Sequence, residues 1–189
     1  MSRRRDNWIR THEALLDAGA GCMAEVGFAG ATVAQITKRA GVAHGTFFVH
    51  FQSKHALLDE LFASRLAVVT TQAFEDVPEG PLVERLVSVA DSLYRFYAAN
   101  TELSRALLSH KLFLADQEQP RSADLFAGLL ANLDRLVRGS LDSPSDKEPA
   151  AVVELFGALY YATLLAGLRS GAPSAAWTAR LRAALTVWL

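Results

Sequence analysis

Apolar residues recur three and four positions apart along almost the whole chain, and no stretch alternates apolar with polar positions as a half-buried strand would. The runs are broken by clusters of Gly, Pro and Asp. This pattern predicts an all-helical protein. The first helix is expected from about Arg10 to Val26, closed by Gly27, and the second from Val33 to Ala40, closed by Gly41. A very short third helix, His44 to His50, and a long fourth, Lys54 to about Phe74, follow. After DVPEGP (76–81), helices are expected near 82–99, 102–114, 121–141, 149–170 and 174–188, with DQEQP and DSPSDKEP as looser connections.

The second and third helices carry the most local information. Thr32 and Gln35 have the spacing of a capping box, in which the hydroxyl accepts from a backbone N–H and the amide reaches back; Ala31 and Ile36 sit where a hydrophobic staple would. Gly41 permits a left-handed turn and Val42 plugs into the core behind it, so the two helices meet at a steep angle across a short connection. That is a helix-turn-helix layout. A helix of about seven residues does not persist alone in water and must be held by packing. Phe47 and Phe51, four residues apart, supply the packed side, which leaves His44, Gly45, Thr46, Phe48 and His50 on the other.

Composition narrows the classes. The 189 residues, about half of them apolar, suffice for one compact domain or two small ones. A single cysteine, Cys22, makes no internal disulfide, and no basic head precedes a long apolar run, so a cytoplasmic protein is expected. The most apolar window, Leu155 to Leu168, is 14 residues between Glu154 and Arg169, short of the roughly 20 that span a bilayer. It reads as a buried helix, and no membrane partner is expected. The overall charge of −1 conceals an asymmetry: residues 1–55 carry a net +3 and the remainder −4. The first third is the part suited to a phosphate backbone.

These residues resemble a known family, the TetR family of bacterial transcriptional regulators, whose pattern is close to T-V-x-x-I-A-x-x-A-G-V-S-x-G-T-L-Y-Y-H-F-x-S-K-E-A-L. Here the chain reads TVAQITKRAGVAHGTFFVHFQSKHAL from Thr32 to Leu57, and the likeness extends back through LLDAGAGCMAEVGF, Leu15 to Phe28. The resemblance implies that Thr32 and Lys54 touch phosphates at two helix N-termini, that His44, Gly45 and Thr46 face base edges with Ala43 beside them, and that Phe48 and His50 flank the backbone. A helix N-terminus with a neighbouring Lys is a ready anion site, and Gly45 removes a side chain where a helix must sit deep in a groove. Ala43 replaces a customary capping Ser or Thr, Phe48 and Val49 replace tyrosines, and His55 replaces a Glu.

Other groups leave alternatives open. Arg3, Arg4 and Arg5 suit either an arm entering a minor groove or a disordered basic tail. Cys22 beside Met23 reads as a buried thiol rather than a redox switch. His44, His50 and His55 are scattered around two helices with no Cys or carboxylate at ligand spacing, so no metal is expected. No phosphate-cradling loop, nucleophile elbow or carboxylate pair stands out, and neither catalysis nor a cofactor is expected.

The helix over 149–170 is apolar nearly all round and needs neighbours on two sides. A dimer interface is expected from Gly157, Ala158, Tyr161 and Ala162 together with Trp177, Leu181 and Leu185 of the last helix; the resemblance implies a two-fold four-helix bundle from the last two helices of each chain. Tyr94, Tyr97, His110, Phe113 and Phe126 line either a cavity for a small apolar or aromatic molecule or a plain core. The whole reads as a helix-turn-helix DNA-binding domain (1–55) joined by a long fourth helix to a helical ligand-binding and dimerisation domain (56–189). The expected function is a homodimeric repressor released from a palindromic double-stranded operator by a small, largely apolar inducer. The alternative is a helical bundle that binds such a molecule or a partner without regulating DNA.

Overall fold

The computed structural model describes residues 3–111, 120–140 and 148–189. Among them all regular structure is helical: α1 (Arg3–Gly30), α2 (Val33–Ala40), α3 (His44–His50), α4 (Lys54–Glu75), α5 (Leu82–Ala99), α6 (Thr101–Lys111), α7 (Pro120–Arg138), α8 (Pro149–Ser170) and α9 (Ser174–Trp188). The expected elements are all present. The expected ends near 114 and 141 fall outside the described residues, as does Phe113. The clearest difference is at the start: α1 begins at Arg3, not Arg10, so Arg3, Arg4 and Arg5 are helical and not a tail. Every side chain from Arg3 to Arg10 is exposed, so this turn carries no apolar period to reveal it.

The chain forms two compact units, and α4 contributes to both. The first takes in α1, α2, α3, α4 as far as Ser64, and α6 from Glu102. Its core is a stripe of α1 (Leu15, Ala18, Cys22, Met23) meeting Ile36 of α2, Phe47 of α3, Phe51 just after it, Leu57 and Leu58 of α4, and Leu107 of α6. The capping box forms as expected: the Gln35 N–H donates to Thr32 Oγ1 at 3.2 Å and the Thr32 N–H donates to Gln35 Oε1 at 2.8 Å. Gly41 closes α2 in the left-handed conformation, φ 69°, and Phe47 and Phe51 are both buried. Ser53, before α4, caps that helix through a bond from the Ala56 N–H at 3.1 Å.

The second unit runs from Arg65 to Thr101 and includes α7, α8 and α9. Here α5 packs against α8 and α9, and α7 against α8. The buried residues of these helices include Leu86, Val89, Ala90 and Leu93 of α5, Val152, Phe156, Leu164 and Leu168 of α8 and three apolar residues of α9. Those three are Trp177, Leu181 and Leu185, each 2 % exposed or less. They were expected at a dimer interface, and the structure corrects that expectation: a 3.6-residue stripe says that a face is apolar, not which neighbour it meets, and here the neighbours are α5 and α8 of the same chain. Trp177 lies on Gly167, where a Cβ would fall 2.3 Å from the indole, and its Nε1–H donates to Ala172 O at 2.9 Å. Polar links tie α9 to α5: the Thr178 hydroxyl bonds Asp91 at 2.7 Å and Arg182 makes a two-pronged pair with Glu84.

The helix α8 is only partly covered. Its most apolar 18-residue window is 33 % buried, at a mean hydropathy of 1.7. By length and composition it passes the test for a membrane-crossing helix, yet one side of it forms the core of this unit. Within the single chain the helix is thus buried on one face, the other being the side expected to meet a partner helix.

A bulky indole cannot yield as a flexible side-chain tip does, so Gly167→Ala is expected to destabilise the protein by about 1–3 kcal/mol through overpacking. Gly128→Ala, on exposed α7 with nothing within 4 Å of the added carbon, is expected to gain up to about 1 kcal/mol from helix propensity. Urea unfolding of the two variants, read side by side, checks the opposite signs.

Candidate nucleic-acid interface

The capping box sets where α2 begins, and the turn at Gly41 and Val42, with the Val42 N–H donating to Thr37 O at 3.0 Å, sets the angle at which α3 leaves it. Phe47 anchors α3 from below, so its opposite side faces solvent. His44 and Gly45 are exposed, Phe48 is 54 % and Val49 72 % exposed, and Thr46 is half-buried. Ala43 begins the helix without a side-chain cap. Nothing stands within 4 Å of a Cβ placed on Gly45, which leaves an open surface at that point. On α2, Gln35 and Lys38 are also exposed. Val49, Gln35 and Lys38 were not among the expected contacts; counting two positions on from Phe47, about 200° around the helix, would have found Val49.

Two expected contacts are turned elsewhere. His50 is half-buried, its ring 4.8 Å from Trp8 and 5.4 Å from His12; His12 also stacks on Trp8 at 4.9 Å and on Phe51 at 4.7 Å. His12 Nε2 bonds Glu60 at 2.7 Å, so this cluster fastens α1, α3 and α4 together. Lys54 donates to the backbone carbonyls of Phe28 and Ala31, the latter at 2.7 Å, with its ammonium 4.2 Å over the Phe28 ring. An ammonium held on two carbonyls is a strut inside the unit, where a phosphate contact had been expected. Thr32 is exposed, but its hydroxyl is engaged with Gln35.

The strut meets a break in α1. Gly27, at φ 72° and ψ 172°, interrupts the helix, and Glu102 of α6 accepts from the Phe28 N–H at 3.0 Å just beyond it. His55 lies between Phe28, 4.7 Å away, and His110 of α6, stacked at 4.1 Å with 10° between the planes. His110 was expected to line a ligand site with Tyr94, Tyr97, Phe113 and Phe126. Instead it packs in the first unit, while Tyr94 and Tyr97 are buried in the second and Phe126 is 60 % exposed. Tyr94 stacks on Tyr160 at 4.9 Å and donates to its carbonyl at 3.0 Å, and burial pushes its hydroxyl well above the usual range.

Charge on the reading side is sparse. Arg39 pairs with Glu25 at 2.5 Å. Burial lowers the Lys54 ammonium from its ordinary value. Burial, and then His12, lowers His50; burial, then His110 and Lys54, lowers His55. Among the described residues no three His, Cys, Asp or Glu side chains converge as a metal site.

Residues 15–61, which contain the whole α2–α3 arrangement, match the family model described as bacterial regulatory proteins, tetR family. Over this segment the chain is similar to the TetR family. A fatty acid metabolism regulator protein of Bacillus subtilis is 25 % identical over 143 residues, which are 75 % of this chain and 66 % of that one. YdgC, an HTH-type transcriptional regulator of the same organism, is 28 % identical over 181 residues, 89 % of this chain and 88 % of its own. The crystal structure of FadR from Bacillus subtilis in complex with stearoyl-CoA superposes with a TM-score of 0.67 at 19 % identity, covering 90 % of this chain and 95 % of that one. A regulator from Aquifex aeolicus gives 0.64 at 20 % identity, covering 95 % and 99 %. The all-α fold is shared with these structures, and residues 15–61 match the model of a family of regulatory proteins.

The two lysines of the interface separate by role. Lys54→Ala is expected to cost about 1–3 kcal/mol of stability, because it strands two carbonyls, and to leave the salt dependence of duplex binding as it was. Lys38→Ala is expected to leave stability alone and flatten the slope of log affinity against log salt by about one unit. Denaturant melts and salt titrations of both variants decide.

Both depressed histidines take up protons less readily in the folded chain than in the unfolded one, where imidazole titrates near 6.5. Their contribution is nil above about pH 7.5 and becomes destabilising as pH falls through about 6.5, levelling off below the folded values. Thermal melts from about pH 8 to about pH 5 are expected to show this loss, and His55→Gln to remove part of it.

Proposed function

We propose that the protein is a homodimeric repressor that holds a two-fold symmetric operator with a pair of α3 helices and lets go when a small, largely apolar molecule enters the second unit. The observation that carries the reading is the α3 face itself: a seven-residue helix anchored by a buried Phe47, with His44, Gly45, Phe48 and Val49 open to solvent. His44 and Thr46 are the polar groups suited to base edges, and Phe48 and Val49 suit thymine methyls. The first unit acts as the reading domain, the second as the sensing and pairing domain.

Pairing is supported by the uncovered side of α8, where Ala158, Tyr161 and Ala162 are exposed and Gly157 is half-buried, and by Val187 and Trp188 at the end of α9, 80 % and 63 % exposed. Burying such a surface against a second copy removes apolar area from water on both chains. A two-fold pair sets the half-sites one or more turns of about 34 Å apart. Sensing centres on the interior around Tyr94 and Tyr97, whose buried rings make an apolar setting suited to a hydrophobic body. Because a relative regulates fatty acid metabolism, acyl compounds are the first inducers to try.

Genome-wide recovery of bound DNA, followed by release assays with acyl and aromatic compounds on the recovered site, tests the reading. Coupling of about 1–3 kcal/mol gives a 5- to 150-fold loss of operator affinity. A duplicated charge in an apolar seam makes Ala162→Glu monomeric by light scattering and weak on the full operator. Recovery of no site, or a dimeric Ala162→Glu, refutes the corresponding part.

A further inference from the structure

The basic groups of residues 3–64 are few, and two are already committed. Lys54 is held on backbone carbonyls and Arg39 on Glu25, while Arg3, Arg4, Arg5, Arg10 and Lys38 are exposed. A protein that reads duplex DNA draws most of its affinity from phosphates, each neutralised by a cation at the surface. Among residues 3–64 these five are the exposed Lys and Arg side chains besides Arg39, and three of them sit in the first turn of α1, ahead of the family match, which starts at residue 15.

That turn is tied to the reading helix. Trp8 is wedged against His50 at 4.8 Å and stacked on His12 at 4.9 Å, and His12 is fixed in turn by Glu60. The indole therefore brings the start of α1 beside the C-terminal end of α3. At 3.6 residues per turn, Arg4 and Arg5 lie one turn before Trp8, on the side of α1 that Trp8 and His12 share. Arg3, Asp6 and Arg10 fall on the far side of the same helix.

We infer that Arg4 and Arg5 form a second DNA contact, a phosphate clamp held in register with α3 by the packing of Trp8 on His50. The inference rests on the DNA-binding reading of α3, and the clamp takes the sugar–phosphate backbone next to the groove that α3 occupies. It is sequence-independent, because guanidinium groups at a helix tip meet phosphate oxygens and no base edges. Its geometry differs from that of a tethered tail: the two arginines arrive already placed, so little chain entropy opposes the contact.

The test uses the full chain and a duplex of roughly 20 base pairs of mixed sequence, about two helical turns, titrated by fluorescence anisotropy between about 50 and 200 mM salt. The paired change Arg4→Gln and Arg5→Gln is expected to flatten the slope of log affinity against log salt by about two units for each chain that contacts the duplex. Trp8→Ala, which keeps both charges, is expected to lose much of the same slope, and Trp8→Phe to restore it. Arg3→Gln with Arg10→Gln is expected to leave the slope unchanged. The clamp is overturned if the Arg4 and Arg5 pair binds like the wild type, if Trp8→Ala keeps the full slope, or if the Arg3 and Arg10 pair loses as much. Should Trp8→Ala fail to fold by circular dichroism, the two arginine pairs, both on the surface, still decide. A wild-type chain that binds no duplex at about 50 mM salt fails the reading of α3 itself and takes the clamp with it.

Discussion

The end of α1 presents carbonyls that its own helix leaves without partners, and the answer to that deficit organises the first unit. Carbonyls at a helix C-terminus need donors and favour a positive charge. Lys54, the first residue of α4, supplies both by donating to Phe28 and Ala31. One side chain thereby ties the end of α1 to the beginning of α4, and Ala31 is the residue just before the cap of α2. Glu102 and His110 close the same joint from α6. The position of α3 depends on this joint, since a helix of seven residues has no shape of its own to defend.

Much of this was legible in the residues. The capping pair Thr32 and Gln35, the left-handed Gly41 and the 3.6-residue spacing of Phe47 and Phe51 are local features, each decided by chemistry within one turn of chain, and each has its expected form. What escaped depends on partners distant in sequence. Lys54 at a helix start suits a phosphate as well as a carbonyl, and only folding, which brings Phe28 within reach across 26 residues, chooses between them. Trp177, Leu181 and Leu185 make an apolar stripe whether the neighbour belongs to the same chain or another. The first turn of α1 was invisible for the opposite reason, because an entirely exposed helix has no hydrophobic period to display.

The two units spend their polar groups differently. In the first, imidazoles, an ammonium and carboxylates sit in the joints themselves, so that its geometry is coupled to protonation. In the second, the interior joints are aromatic and aliphatic, with single hydroxyl bonds such as Thr178 to Asp91 and Tyr94 to the Tyr160 carbonyl pinning the register of packed helices. Apolar packing tolerates small readjustments at modest cost when volume is conserved. Such an interior suits the small-molecule response proposed for this unit better than one built from ion pairs.

The three tryptophans fall in three different surroundings, and this makes the chain its own optical instrument. Trp8 lies against two imidazoles at the base of α3, a setting in which protonated histidine quenches indole emission. Trp177 is buried with its N–H bonded to a carbonyl, which calls for blue-shifted emission from the heart of the second unit. Trp188 stands mostly in solvent at the end of α9, where its colour registers whatever comes to cover it. Intrinsic fluorescence, resolved by single Trp→Phe changes, can therefore follow the reading helix, the packed interior and the outer surface independently, without attaching any label.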